Sequence, residues 1–160
     1  KDGKLIEGIF KGETINTPSM LCVEDYLDAL EWAESVGGLK GLMGRADENL
    51  GVIDRWVKAA GWCDFLATNP KARSNTSVCL KITDPWFTAK DADGQAAAAK
   101  KIADILEKEG VALDIGAYRD APPGLRIWCG ATVETSDVEA LTHWLDWAFA
   151  EAKASLAKAA

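Results

Sequence analysis

A chain of 160 residues with 48% hydrophobic and 27% charged side chains has the makings of one compact, globular core. Its 18 Lys and Arg against 25 Asp and Glu leave a formal net charge of -7. That balance argues against nucleic acid or an anionic membrane as partner, since both demand clustered cations. No apolar run approaches the roughly 20 residues that span a bilayer, and no signal peptide is legible. The chain opens Lys1-Asp2-Gly3-Lys4 without an initiator methionine, which reads as the middle of a longer polypeptide or as a processed terminus.

Residues 1–18 are mixed and polar, with Gly3, Gly8 and Gly12, and read as an extended arm or loop. Pro18 suits a first helical turn. Cys22, Val23, Tyr26, Leu27, Leu30 and Ala33 then recur with a 3.6-residue period, which predicts a helix over 19–35 ended by Gly37-Gly38. Leu39, Leu42, Met43, Ala46, Leu50, Ile53, Trp56 and Val57 predict a second helix over 39–60, stopped by Gly61. A short strand over 64–67, a turn at Asn69-Pro70 and an alternating strand over 76–82 follow. Residues 84–94 read as a loop and 95–109 as a helix with Ala98, Ile102, Ile105 and Leu106 on one face. Strands are expected over 111–115 and 125–130. Ser136-x-x-Glu139 has the form of a capping box before the stripe Val138, Leu141, Leu145, Ala148 and Phe149, so it opens the last helix, whose Ala-Lys end should fray. The order α, α, β, β, α, β, β, α predicts an α/β chain built as an α+β layer, with its helices on one face of a small sheet.

The candidate chemistry is sparse. Cys22, Cys63, Cys79 and Cys129 form no CxxC pair and each lies in an apolar run, as buried reduced thiols of a cytosolic protein would. No metal site is expected. The single histidine, His143, has no nucleophile motif beside it and reads as structural. Seven tryptophans serve most simply as core and interface anchors, although one could stack on a cofactor ring. Asn16 and Thr17 stand before a helix start, where an amide, a hydroxyl and free main-chain N–H groups suit a phosphate; ordinary helix capping suits them equally. Arg119 and Arg126 flank Asp120-Ala121-Pro122-Pro123-Gly124, a stiff turn that would bring both guanidinium groups toward one pocket. Arg126 sits among Leu125, Ile127 and Trp128 and needs a partner there: a substrate carboxylate held bidentately, or an internal Asp or Glu. Arg73-Ser74-Asn75-Thr76 reads as a turn with side-chain caps.

Three segments carry a resemblance over essentially the whole chain. They are Ile15-Asn16-Thr17-Pro18-Ser19-Met20-Leu21, Arg73 to Lys81, and Gly116-Ala117-Tyr118-Arg119 through Gly124-Leu125-Arg126-Ile127-Trp128-Cys129-Gly130-Ala131-Thr132. Together they resemble the C-terminal half of phosphoserine aminotransferases, in the branch found in alphaproteobacteria and some archaea. The pattern departs at Tyr118, where better-known bacterial members carry His, and in a longer stretch between the two arginines.

The resemblance implies a fold-type I enzyme that uses pyridoxal 5′-phosphate (PLP) to exchange an amino group between glutamate and 3-phosphohydroxypyruvate, giving phosphoserine and 2-oxoglutarate. It implies a cytoplasmic homodimer, with Asn16 and Thr17 reaching across the interface to the PLP phosphate of the other subunit. Arg126 would hold the substrate α-carboxylate, and Arg119 would lie near the substrate phosphate. It divides the chain into an arm over 1–18 bearing the phosphate clamp, helices over 19–60 leading from the large domain, and a C-terminal small α+β domain over 61–160 with a mostly antiparallel sheet. It also places the Schiff-base lysine upstream of Lys1, on the N-terminal half of the same enzyme. None of the lysines here matches that motif, so the chain alone is expected to contain no catalytic residue and to be inactive. A non-catalytic α+β module that binds an anion or a partner is the competing reading, and PLP chemistry on another small amino acid is the third. An apolar face left exposed on the first two helices would favour the enzyme part over the autonomous module.

Overall fold

The computed structural model describes Gly3, residues 5–14 and residues 16–157. Lys1, Asp2, Lys4, Ile15 of the first resembling segment, and the last three residues, expected to fray, lie outside the described residues. The chain divides into two compact units, Lys1–Leu42 and Met43–Ala160.

In the first unit, Glu7–Lys11 form a 3-10 helix closed by Gly12 in the left-handed region (φ 86°), a tight turn within the segment read as an arm or loop. Helix α1 spans Met20–Ser35 behind Ser19 as N-cap, close to the expected bounds. Its periodic stripe is real, yet none of its residues is buried: Leu21, Tyr26, Leu27 and Leu30 are all exposed. Cys22 is exposed too, which corrects the expectation of a buried thiol there. Helix α2, Gly38–Ala60, starts in this unit and continues into the second.

The second unit has an interior. Gly61 (φ 71°) ends α2, and strands β1 (Cys63–Phe65), β2 (Ser77–Ile82) and β3 (Gly124–Trp128) form an antiparallel sheet in the order β1-β2-β3. The period of two is strict in β2. Val78, Leu80 and Ile82 are buried with Leu125 and Ile127 of β3, while Ser77, Cys79, Lys81 and Arg126 face the other way, partly exposed. Against the buried face pack α4 (Ala92–Lys108) and α5 (Thr135–Ala157), through Ala98, Ile102, Leu106, Val138, Leu145 and Ala148. The C-terminal part of α2 adds Ile53 and Val57 to the same core. This is the helices-on-one-face layer that the pattern predicts, built on three strands rather than four.

Three local expectations fail for identifiable reasons. The expected loop over 84–94 contains helix α3 (Pro85–Thr88) and the first turn of α4, because Asp84 and Asp91 are working N-caps: Asp84 accepts from Trp86 N at 2.8 Å and Asp91 from Gly94 N at 2.9 Å. The expected strand over 111–115 does not form. Asp114 turns into the left-handed region (φ 52°) and breaks the extended run, leaving one isolated bridge, Gly116 to Leu125. Helix α5 begins at Thr135, so Ser136 lies inside its first turn and is no capping box; the Glu134 carbonyl accepts from Asp137 N and Val138 N instead.

Two polar contacts fasten this core. Asn49 on α2 is fully buried; its amide donates to the carbonyls of Cys129 and Val133, each at 3.1 Å, and its carbonyl accepts from the Thr135 hydroxyl at 2.8 Å. Asp146 on α5 accepts from two indoles, Trp62 at 2.7 Å and Trp56 at 3.1 Å. Trp62 also stacks on Phe149 with centroids 4.3 Å apart, and Trp86 meets the same Phe149 edge-on. Three of the seven tryptophans are thus anchors of one aromatic cluster, as the simpler reading expects. Cys63 and Cys129 are buried and Cys79 half-buried. Desolvation, with Asp146 and then Asp64 adding repulsion, pushes the Cys63 thiol up to about 12, and burial alone pushes Cys129 up to about 11.

Two outcomes follow from this packing. Asn49→Ala strands two carbonyls and a hydroxyl in the interior and should cost about 2–4 kcal/mol, read as a lowered midpoint in urea; an unchanged midpoint would mean the knot carries no stability. With Ellman's reagent at pH 8, Cys22 should react at once, Cys79 more slowly, and Cys63 and Cys129 only after denaturation. The unfolded chain loses those two thiol protons first as pH rises past the ordinary 9.0, so stability should fall between pH 9 and about 12.

Candidate anion-binding site

Gly124 opens β3 where it must press close to β2: a Cβ there would stand 2.2 Å from the Leu80 carbonyl oxygen. That close approach sets the register Leu80 to Leu125, Cys79 to Arg126 and Val78 to Ile127. Since Leu125 and Ile127 point into the core, Arg126 points to the opposite face of the sheet. Its own N–H donates to the Ile115 carbonyl at 2.9 Å, tying the 112–116 segment beside it.

Arg126 lines a cavity of about 390 Å³ with Ser77, Asp114, Ile115, Trp128 and Leu141. Its Nη2 donates to Asp114 Oδ2 at 2.8 Å. Of the two partners the sequence left open, an internal carboxylate is the one in place. The pair is asymmetric: the Arg126 side chain is 31% exposed and that of Asp114 87%. A guanidinium offers five donors in a fixed fork, and one contact with an exposed carboxylate leaves most of that fork for a second planar anion.

Arg119 sits elsewhere. It follows Tyr118 on an exposed turn, closed by Ala121 N donating to the Tyr118 carbonyl, and lines a separate depression of about 290 Å³ with Lys100, Ala103, Gly116 and Pro123. Its Nε lies 3.6 Å from Asp120 Oδ1, with both side chains largely in solvent. The stiff Pro-Pro-Gly turn therefore does not bring the two guanidinium groups into one cavity here.

Asn16 and Thr17 are exposed and lie just ahead of Ser19, so neither is the cap of α1; Ser19 is, and its side chain makes no capping bond. The first amides of α1 consequently have no side-chain acceptor from the cap. An amide, a hydroxyl and a helix N-terminus form a neutral donor set that fits one edge of a phosphate. Residues 13–21 contain no Lys or Arg, so the charge of a phosphate dianion must be met from outside this segment.

Other candidates are structural. The Ser74 hydroxyl accepts from Thr76 N at 3.2 Å and Ser77 N at 3.0 Å, the turn with side-chain caps that was expected, while Arg73 lies over the Phe65 ring at 3.9 Å. His143 is exposed on α5. Among the described residues no group of three or more His, Cys, Asp or Glu could hold a metal, and no helix is long and apolar enough to cross a membrane. Asp114 was not singled out by sequence reasoning, although an acidic residue inside the apolar run Val111 to Ile115 was a visible anomaly. Asn49 gave no signal, as a lone polar residue on a helix usually faces water.

No family profile matches the chain. It is 52% identical over 149 residues to the phosphoserine aminotransferase of Methanosarcina mazei, a match that takes in 93% of this chain and 38% of that protein. It is 28% identical over 143 residues to the phosphoserine aminotransferase of a Nocardioides species, covering 89% of this chain and 35% of that one. In backbone it superposes on a solved phosphoserine aminotransferase from Bacillus circulans subsp. alkalophilus with a TM-score of 0.70 at 19% identity, over 85% of this chain and 34% of that one. The chain thus spans little more than a third of the relatives it matches, and in sequence and fold it corresponds to a C-terminal part of phosphoserine aminotransferases.

Proposed function

We propose that this chain contributes the substrate-anion end and a phosphate clamp to a PLP-dependent transaminase that exchanges an amino group between glutamate and 3-phosphohydroxypyruvate. The observation that carries the reading is the 52% identity to the Methanosarcina mazei enzyme across 93% of the chain. The bare apolar surface of α1 supports it: Met20, Leu21, Tyr26, Leu27 and Leu30 are exposed on a 16-residue helix with nothing buried. An autonomous anion-binding module has no use for such a face, whereas the remaining two-thirds of a longer polypeptide would cover it.

PLP supplies the electron sink through which an amino group moves between carbon skeletons. The roles of this chain are to bind and orient. Asn16 and Thr17 donate hydrogen bonds to the cofactor phosphate of a neighbouring subunit in a homodimer. Arg126 grips the substrate α-carboxylate with its planar fork, fixing the Cα bond geometry at the reacting carbon. Arg119 lines a separate depression from Arg126, so the substrate phosphate it meets belongs to a molecule bound at the neighbouring subunit's site. The reactive lysine belongs to the N-terminal half, and the setting is cytoplasmic.

The direct test exchanges the matching segment of the Methanosarcina mazei enzyme for this chain. The chimera should transaminate phosphoserine. Arg126→Gln in it should lower kcat/KM by about 100-fold, the loss of a charged bidentate contact, and Arg119→Ala should raise KM for phosphoserine but not for glutamate. The chain alone, supplied with PLP and both substrates, should give no turnover. A folded, PLP-loaded chimera without phosphoserine exchange would sink the proposal, and equal use of unphosphorylated substrates would favour another small amino acid.

A further inference from the structure

The carboxylate that meets Arg126 comes from an unusual place. Asp114 is the one non-glycine residue among those described with a positive φ, at 52°. Left-handed backbone is tolerated by Asp better than by most residues but still costs energy. The turn it makes ends the apolar run 111–115 and swings its side chain outward, where 87% of it is exposed, with Oδ2 2.8 Å from Arg126 Nη2. The neighbouring main chain is pinned: Ile115 accepts from Arg126 N at 2.9 Å, and Gly116 bridges to Leu125. Backbone is thus fixed while the carboxylate reaches from solvent into the mouth of the cavity that Arg126 lines.

A carboxylate so placed is chemically the same group as the anion that Arg126 is proposed to hold. It neutralises the guanidinium and shields it from solvent ions, yet an exposed ion pair is worth little. We infer that Asp114 is an internal stand-in for the ligand carboxylate: it occupies Arg126 in the free chain and is displaced when a carboxylate ligand enters. The inference rests on the anion-binding reading of Arg126. It makes Asp114 a positioning and affinity-setting residue, one that keeps the fork oriented while holding affinity down through competition. Dissociation of the ligand is then assisted, because the departing carboxylate is replaced by one already tethered beside the site.

The test needs neither cofactor nor turnover. Trp128 lines the same cavity and is 58% exposed, so the part of the tryptophan fluorescence change that Trp128→Phe removes reports occupancy. Glutarate is the probe and glutaramide the uncharged control, titrated into the 160-residue chain. Asp114→Asn keeps a side chain that tolerates the left-handed turn and removes the charge. It should tighten glutarate binding by about 1.4-fold to fivefold, the range of an exposed pair converted to affinity, without moving the response to glutaramide. Arg126→Gln should abolish glutarate binding in either background. If Arg126→Gln abolishes binding but Asp114→Asn leaves it unchanged or weakens it, the stand-in role is wrong while the anion site stands. If glutarate binds Arg126→Gln as well as it binds the unaltered chain, both readings fall. Circular dichroism of each variant separates loss of binding from loss of fold. Should Arg126→Gln unfold, Arg126→Met replaces it, keeping the aliphatic bulk without the charge, and should abolish glutarate binding; undiminished binding there sinks the anion site.

Discussion

The second unit hangs on one buried amide. Asn49 brings both ends of its side chain to the segment between β3 and α5, with donors to Cys129 and Val133 and an acceptor for Thr135. A buried polar group is expensive unless every partner is supplied, and here no buried side-chain polar atom among the described residues lacks one. The geometry is specific in a way apolar contact is not. It fixes where β3 ends relative to α2, and hence the register in which Arg126 faces away from the core while its neighbours enter it. Arg45, one turn earlier on α2, adds a bond to the Ala131 carbonyl and an ion pair with Glu134, so the same loop is held at two levels.

Placing Arg126 on the outer face of a rigid sheet solves a problem that a loop arginine would not. Its main chain is held in the ladder on one side and by Ile115 on the other, so the side chain pays little backbone entropy on binding. The chain as a whole is acidic, with a net charge of -7, and long-range attraction of a carboxylate is therefore weak. Recognition of the carboxylate proposed for Arg126 must come from short-range, directional donors. That is what the guanidinium fork provides, and why an Arg rather than a Lys is called for at this position.

Most of the architecture was legible because it rests on period. The alternation in 76–82 and the stripes of α4, α5 and the C-terminal part of α2 identify their buried faces in Ile53, Val78, Leu80, Ile102 and Leu145, whereas Leu39 and Met43 of the α2 stripe are exposed. What period could not reveal was local competition. Asp84 and Asp91 have the composition of loop residues, yet each caps a helix, and the run Val111 to Ile115 has the composition of a strand, yet one left-handed residue breaks it. The stripe on α1 exposes a deeper limit. Periodicity identifies an apolar face but not what covers it, and Cys22 was assigned to a core that α1 does not enter. At the site, Arg126 was found from the cost of a charge in an apolar strand, and its contact with Asp114 was the alternative left open. The separation of Arg119 from Arg126 was hidden, because turn stiffness constrains the path of the chain and not the direction of two long side chains.

The two units differ in what they can do by themselves. The second contains a closed aromatic and aliphatic core, satisfied polar knots and a cavity complete with its arginine. The first offers Asn16, Thr17 and a helix N-terminus as donors, on a helix that buries no residue and whose isolated stability at 16 residues is marginal. The carboxylate half of the proposed function therefore depends only on contacts within Met43–Ala160, whereas the phosphate half depends on whatever orders α1 and supplies the missing positive charge. The proposed binding of a dicarboxylate at Arg126 is separable from the proposed cofactor contact for that reason, and the arginine end can be judged on its own chemistry.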